Sequence, residues 1–126
     1  MATLHSVDSV GLYDGLTLGQ ALPLVVGEIV AAFSPFEVIL FGSVARGDDG
    51  PDSDLDLLVV LEKADRSERR RLTREVRSAI KTFVPVDIVI ADRQDLATYD
   101  GNVGSALYWP LREGRSVYKR ADKLVA

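Results

Sequence analysis

Asp54 and Asp56 stand one residue apart at the head of an apolar run, DLDLLVVL (54–61), and a third aspartate, Asp87, interrupts a second run, VDIVIA (86–91). Side chains of an extended strand alternate faces, so Asp54 and Asp56 point the same way while Leu55, Leu57 and Val59 point to a core. A rise of about 3.3 Å per residue sets the two carboxylates about 7 Å apart on one face, a spacing suited to sharing divalent cations. The same alternation separates Asp87 from Val86, Ile88 and Ile90. An aspartate within an apolar strand is costly unless it is hydrogen-bonded, paired or bound to metal. If the two runs are neighbours, three carboxylates repel, raise one another's proton affinity and relax when a dication arrives. Hard oxygen donors without histidine or cysteine favour Mg2+, with Mn2+ as a second choice, over zinc.

Upstream, Gly42 and Ser43 close another apolar run, FEVILF (36–41), and Arg46 follows. Glycine lets a backbone approach a ligand closely, the serine adds a hydroxyl and an amide, and the arginine adds a cation. A phosphate held by Gly42, Ser43 and Arg46, bridged by metal to the aspartates, predicts phosphoryl or nucleotidyl transfer. Taken alone, the Gly-Ser pair reads first as an ordinary turn; its coincidence with Asp54, Asp56 and Asp87 is what carries weight. Asp48, Asp49 and Asp52 read as a solvated loop, Arg46 serves a structural ion pair as readily as a phosphate, and Asp92 reads as a helix cap or turn residue.

These groups need a scaffold. Leu22, Val25, Val26, Ile29, Val30 and Phe33 recur at helical spacing, which predicts a helix to Phe33. Thr17 and Gln20 have capping-box spacing, but Pro23 moves the expected start toward Leu22. Strands are predicted over 36–41, 54–61 and 86–91, the first and third introduced by Pro35 and Pro85. Between the last two lies an amphipathic helix with Asp65 and Glu68 as an acidic capping box and Leu72, Val76, Ala79, Ile80 and Phe83 as its apolar face. Its other face carries Arg69, Arg70, Arg74, Arg77 and Lys81, read first as solvated and second as a dock for an acidic partner or RNA. A final helix is expected over about 103–113, kinked or cut short by Pro110 and stopped by Gly114, before an edge strand RSVYKR (115–120). Tyr108 and Trp109 are read first as core or subunit contact and second as a nucleobase stack, and His5 receives no role. The expectation is an α/β (α+β) chain with a short mixed sheet flanked by helices and a site along one sheet edge. Residues 1–16 form a weakly patterned arm and 17–126 a single domain.

The bulk properties narrow the field. The 126 residues carry a net charge of −4 and no cysteine, which argues against a general polyanion binder, gives no strong nucleic-acid signal and excludes disulfides and thiolate chemistry. The start lacks a secretion signal and no segment reaches the length of a membrane span, so a cytoplasmic protein without membrane contact is expected.

Glycine, serine, ten residues, then Asp-Leu-Asp resembles the signature of the DNA polymerase beta type nucleotidyltransferases. FGSVARGDDGPDSDLDLLVV (41–60) is similar in particular to the minimal nucleotidyltransferases, and the resemblance runs from Leu22 to Arg120 through VDIVIAD and LREGRSVY. It implies the palm-like fold of that superfamily, Asp54 and Asp56 as ligands of two Mg2+ ions, and Gly42 and Ser43 as the triphosphate turn. It further implies Asp87 as a third ligand or as general base on the acceptor hydroxyl. ATP, or another nucleoside triphosphate, is the implied donor of a nucleoside monophosphate, with release of pyrophosphate. Many members are antitoxins encoded beside HEPN-domain toxins, some adding AMP to a toxin tyrosine; this implies a HEPN toxin as partner in a hetero-oligomer. Two further readings are a non-catalytic antitoxin that acts by binding and an ATP-sensing subunit without turnover. An aminoglycoside-modifying enzyme is a less suitable alternative, because 126 residues leave little room for a domain enclosing a sugar.

Overall fold

The computed structural model describes residues 5–7 and 12–121. Helix α1, Leu18–Phe33, starts at Thr17, whose hydroxyl accepts from the Gln20 amide at 3.0 Å while the Gln20 side chain accepts from the Thr17 amide at 2.9 Å. This complete capping box starts the helix ahead of the expected Leu22. Pro23 lies inside α1 on its exposed face, where the missing N–H costs one bond in a turn already anchored. The opposite stripe, Leu18 through Ile29, is buried.

Four strands form a mixed sheet in the order β3-β2-β1-β4: β1 Glu37–Phe41, β2 Leu55–Leu61, β3 Val86–Asp92 and β4 Arg115–Lys119. Strand β1 pairs antiparallel with β2 and with β4, whereas β2 and β3 run parallel. Central β2 is buried on both faces. Leu55, Leu57 and Val59 join α1 residues Val25 and Ile29 and Val76 in the larger core; Leu58 and Val60 join Phe36, Ile39, Ala91 and Leu107 in a smaller one. Two-sided cover explains why 57–61 is continuously apolar rather than alternating.

The parallel crossover is made by a 3-10 turn, Arg66–Glu68, and helix α3, Arg69–Ala79. Asp65 makes no side-chain cap bond, and Glu68 pairs with Arg71 at 3.3 Å instead, so the expected acidic capping box does not form. The helix ends at Ala79, short of Phe83, because Glu28 of α1 accepts from the Lys81 and Thr82 amides and the Thr82 hydroxyl and draws the chain off the helical path. Phe83 instead stacks on His5, with ring centroids 4.5 Å apart, and meets Tyr13 edge-on. His5 also bonds Asp14 at 2.8 Å. The described part of the N-terminal arm is therefore folded onto the domain, with bridges Val7 to Tyr13 and Tyr13 to Leu16; residues 1–4 and 8–11 of that arm lie outside the described residues.

Two short helices escaped periodicity: α2, Gly42–Arg46, directly after β1, and α4, Arg93–Thr98, directly after β3. The last helix, α5, is Tyr108–Glu113 rather than 103–113. Pro110 neither kinks nor ends it, since a third helical residue has no intrahelical acceptor for its N–H anyway. Among the described residues, no helix is long and apolar enough to cross a membrane.

Candidate active site

Strand β1 ends at Phe41, which is the register partner of Asp56 in β2, and Asp56 is in turn the partner of Asp87 in β3. The site thus sits at one end of the sheet, across three strands, rather than along a sheet edge. Asp54 lies just before the first residue of β2, at the threshold of the strand instead of within it.

Gly42 follows Phe41 with φ +78°. A Cβ there would lie 2.0 Å from Asp56 Oδ2 and 2.9 Å from its Cγ, so both the backbone angle and the room beside the carboxylate demand glycine. Asp56 is half-buried between the fully buried Leu55 and Leu57. Burial, then the charge of Asp54 and a hydrogen bond with it, then the charge of Asp87 push its carboxyl up to about 6, while Arg46 pulls weakly the other way. Asp87 is exposed, and Arg77 of α3 reaches its Oδ1 at 3.4 Å. Among the described residues, no three histidine, cysteine, aspartate or glutamate side chains are grouped to hold a metal ion. The structure therefore brings Asp54 and Asp56 together and sets Asp87 beside Asp56, engaged by Arg77. A pair of hard oxygen donors in which burial and the neighbouring charge raise the proton affinity of Asp56 fits a divalent cation, which would neutralise what burial opposes.

The Gly42-Ser43 pair is the start of α2, not an isolated turn, and Phe41 contributes no side-chain cap to it. The Gly42 amide donates to Glu113 Oε1 at 3.1 Å, and Arg46 Nη1 donates to both Glu113 oxygens at 3.0 and 3.2 Å. Arg46 Nε also meets Asp48 at 3.2 Å. Arg46 thus makes the structural ion pair with a nearby aspartate that the sequence allowed, and a second ion pair with Glu113. Sequence reasoning missed Glu113, which α5 delivers from 67 residues away along the chain, and no local spacing signals such a partner. Of the readings offered for Trp109, the core is excluded, because the residue is 55 % exposed. Phe41, Gly42, Arg46, Asp56, Trp109 and Glu113 line an open concavity of about 320 Å³.

A larger cleft of about 460 Å³ lies between β3 and the 98–107 segment and contains none of the predicted site residues. Asp92 belongs to that side: it caps α4 by accepting from the Asp95 amide at 3.0 Å and takes the Ala64 amide at 3.1 Å. Burial raises its proton affinity, but those amides and Arg69 outweigh it and hold the carboxyl below the ordinary range.

The family model for the nucleotidyltransferase domain matches residues 25–103, more than half of the chain. Among solved structures, a candidate nucleotidyltransferase from Sulfolobus solfataricus is similar at 23 % identity with a TM-score of 0.59, covering 82 % of this chain and 81 % of its own. A chain of a toxin–antitoxin complex crystallised with AMP-PNP is similar at 19 % identity with a TM-score of 0.48, covering 77 % of this chain and 73 % of its own. No curated protein matches. The first of these structures carries the fold, a mixed sheet flanked by helices, as the sequence predicts.

Proposed function

The chain belongs to the nucleotidyltransferase domain family, and from that premise we propose that it moves AMP from ATP to a hydroxyl of a macromolecular acceptor, a tyrosine of a HEPN-type toxin, and so acts as an antitoxin. One observation carries the transfer chemistry: Asp56, crowded by Asp54 and Asp87, lies against Gly42, whose φ of +78° and closeness to the carboxylate disfavour any side chain. In this reading the Ser43 hydroxyl and the amides of the Gly42-Ser43 segment receive phosphate oxygens, for which the Gly42 amide and Arg46 exchange Glu113. Asp54 and Asp56 hold the divalent cation. When bound, Mg2+ lowers the acceptor's pKa and neutralises the leaving pyrophosphate. Asp87, the most open of the three to solvent, meets the acceptor hydroxyl as a further ligand or as the base that takes its proton. The open concavity suits an acceptor that brings its own binding surface, and the family resemblance supports a toxin in that role and a cytoplasmic setting.

The test is transfer of label from α-labelled ATP to the partner in Mg2+, followed by mass spectrometry of the partner. Asp54→Asn and Asp56→Asn are expected to abolish transfer with the fold retained; undiminished transfer in both variants sinks the assignment. A second reading, ATP bound without turnover, is favoured by the engagement of Asp87 with Arg77. Measurable ATP affinity with no pyrophosphate release toward any acceptor would decide for it.

A further inference from the structure

Trp109 is the only tryptophan in the chain and is 55 % exposed, an unusual place for an indole whose burial would stabilise the fold. It precedes Glu113 by four residues on α5, and residues four apart share a helix face. Ring and carboxylate therefore look into the same concavity, with Gly42, Arg46 and Asp56 on its other sides.

The indole rests against its neighbour in the chain. Tyr108 meets it edge-to-face at a centroid distance of 5.0 Å and 83°, and the Arg112 guanidinium lies 5.7 Å from the centre of the Tyr108 ring. The next residue, Pro110, is fully buried. At the end of α5, a Cβ on Gly114 would come within 2.2 Å of the Pro110 carbonyl oxygen, 2.7 Å of Ile39 and 2.9 Å of the Leu40 carbonyl oxygen, so α5 is seated against β1 without slack. A planar apolar surface, open to water, anchored by its neighbours and adjacent to groups suited to phosphate, presents a platform for a second planar ring. Exposed apolar side chains also mark protein-docking patches, and Val103 and Leu111 are exposed as well. Trp109 differs from those two in lining the concavity that holds the phosphate-facing groups.

We infer that Trp109 stacks the base of the donor nucleotide, making it a determinant of affinity for nucleotide over bare polyphosphate. This rests on the nucleotide reading of the same site. Stacking uses the π-face that every base has, so it confers affinity for a nucleobase without strict choice among bases.

The single tryptophan reports directly on its own contact. Titrating the full chain in Mg2+ with ATP is expected to quench its fluorescence, whereas inorganic tripolyphosphate binds with little quenching. Calorimetry is expected to show ATP binding at least about tenfold tighter than tripolyphosphate. Trp109→Ala should remove that excess and leave tripolyphosphate affinity unchanged, and Trp109→Phe should restore most of it. A merely structural role would weaken both ligands together and would overturn the inference. So would an ATP excess that survives in Trp109→Ala, which assigns the ring to a docking patch. ATP binding no tighter than tripolyphosphate ends the stacking alone, and failure of both ligands to bind ends the nucleotide reading and this inference with it.

Discussion

Strand β3 carries an aspartate near each end, and the two live in opposite circumstances. Asp92, 8 % exposed, receives two amides and lies 3.6 Å from Arg69, which also grips its capping partner Asp95 at 2.7 Å. Each burial cost there is offset by a donor. At the other end, Asp87 sits beside Asp56, which is more exposed than Asp92; yet burial, followed by the charges of Asp54 and Asp87, pushes the Asp56 carboxyl up with too little counter-charge to offset them, while that of Asp92 falls. Burial therefore does not identify a working carboxylate. What separates the two ends is whether the fold supplies the counter-charge or leaves it for something that binds.

Breaking the satisfied end should cost the most. Asp92→Ala removes the α4 cap and the Ala64 contact and leaves Arg69 with Asp95 alone, a loss of about 3 kcal/mol in urea unfolding. Because the Asp92 carboxyl is held below its ordinary 3.8, its contribution is present above that value and disappears as pH falls through the lower folded value. The unsatisfied end should behave with the opposite sign. The folded state binds the Asp56 proton more tightly than the unfolded chain does, so ionisation of Asp56 opposes folding as pH rises from 3.8 through about 6. In EDTA, Asp56→Asn is expected to melt higher than the wild type at pH 8 and to lose that advantage toward pH 4. Equal melting temperatures at pH 8 would mean that the crowding is relieved by other means. The smallest effect belongs to Arg77→Ala. Its 3.4 Å pair with Asp87 joins two half-exposed side chains, so the change in unfolding free energy should stay below about 1 kcal/mol.

Much of the site was legible because a strand's two-residue period is rigid: Asp54, Asp56 and Asp87 could be placed relative to the core without knowing what lay across from them. The strands fall within one residue of expectation, and β4 was found although it lies at an edge. Helices α2 and α4 were not found, since five and six residues make too little of a 3.6-residue period to be seen. Asp92 signalled α4 only as a cap. Phe83 kept a helical rhythm with Val76 and Ile80, yet Glu28, 54 residues before Thr82, overrode it. Glu113 was out of reach for the same reason, and the choice among the readings of Trp109 could not be made: both depend on where α5 is seated, and seating is a tertiary fact.

That seating rests on Gly114. With backbone and Ile39 packed where a side chain would begin, the end of α5 lies close against β1. The helix then works as a fixed ruler: changing the ring at 109 alters what is measured at one mark without shifting the other, at 113. Such a part lets affinity for a planar ligand be tuned by one substitution, while the machinery beside it keeps its dimensions.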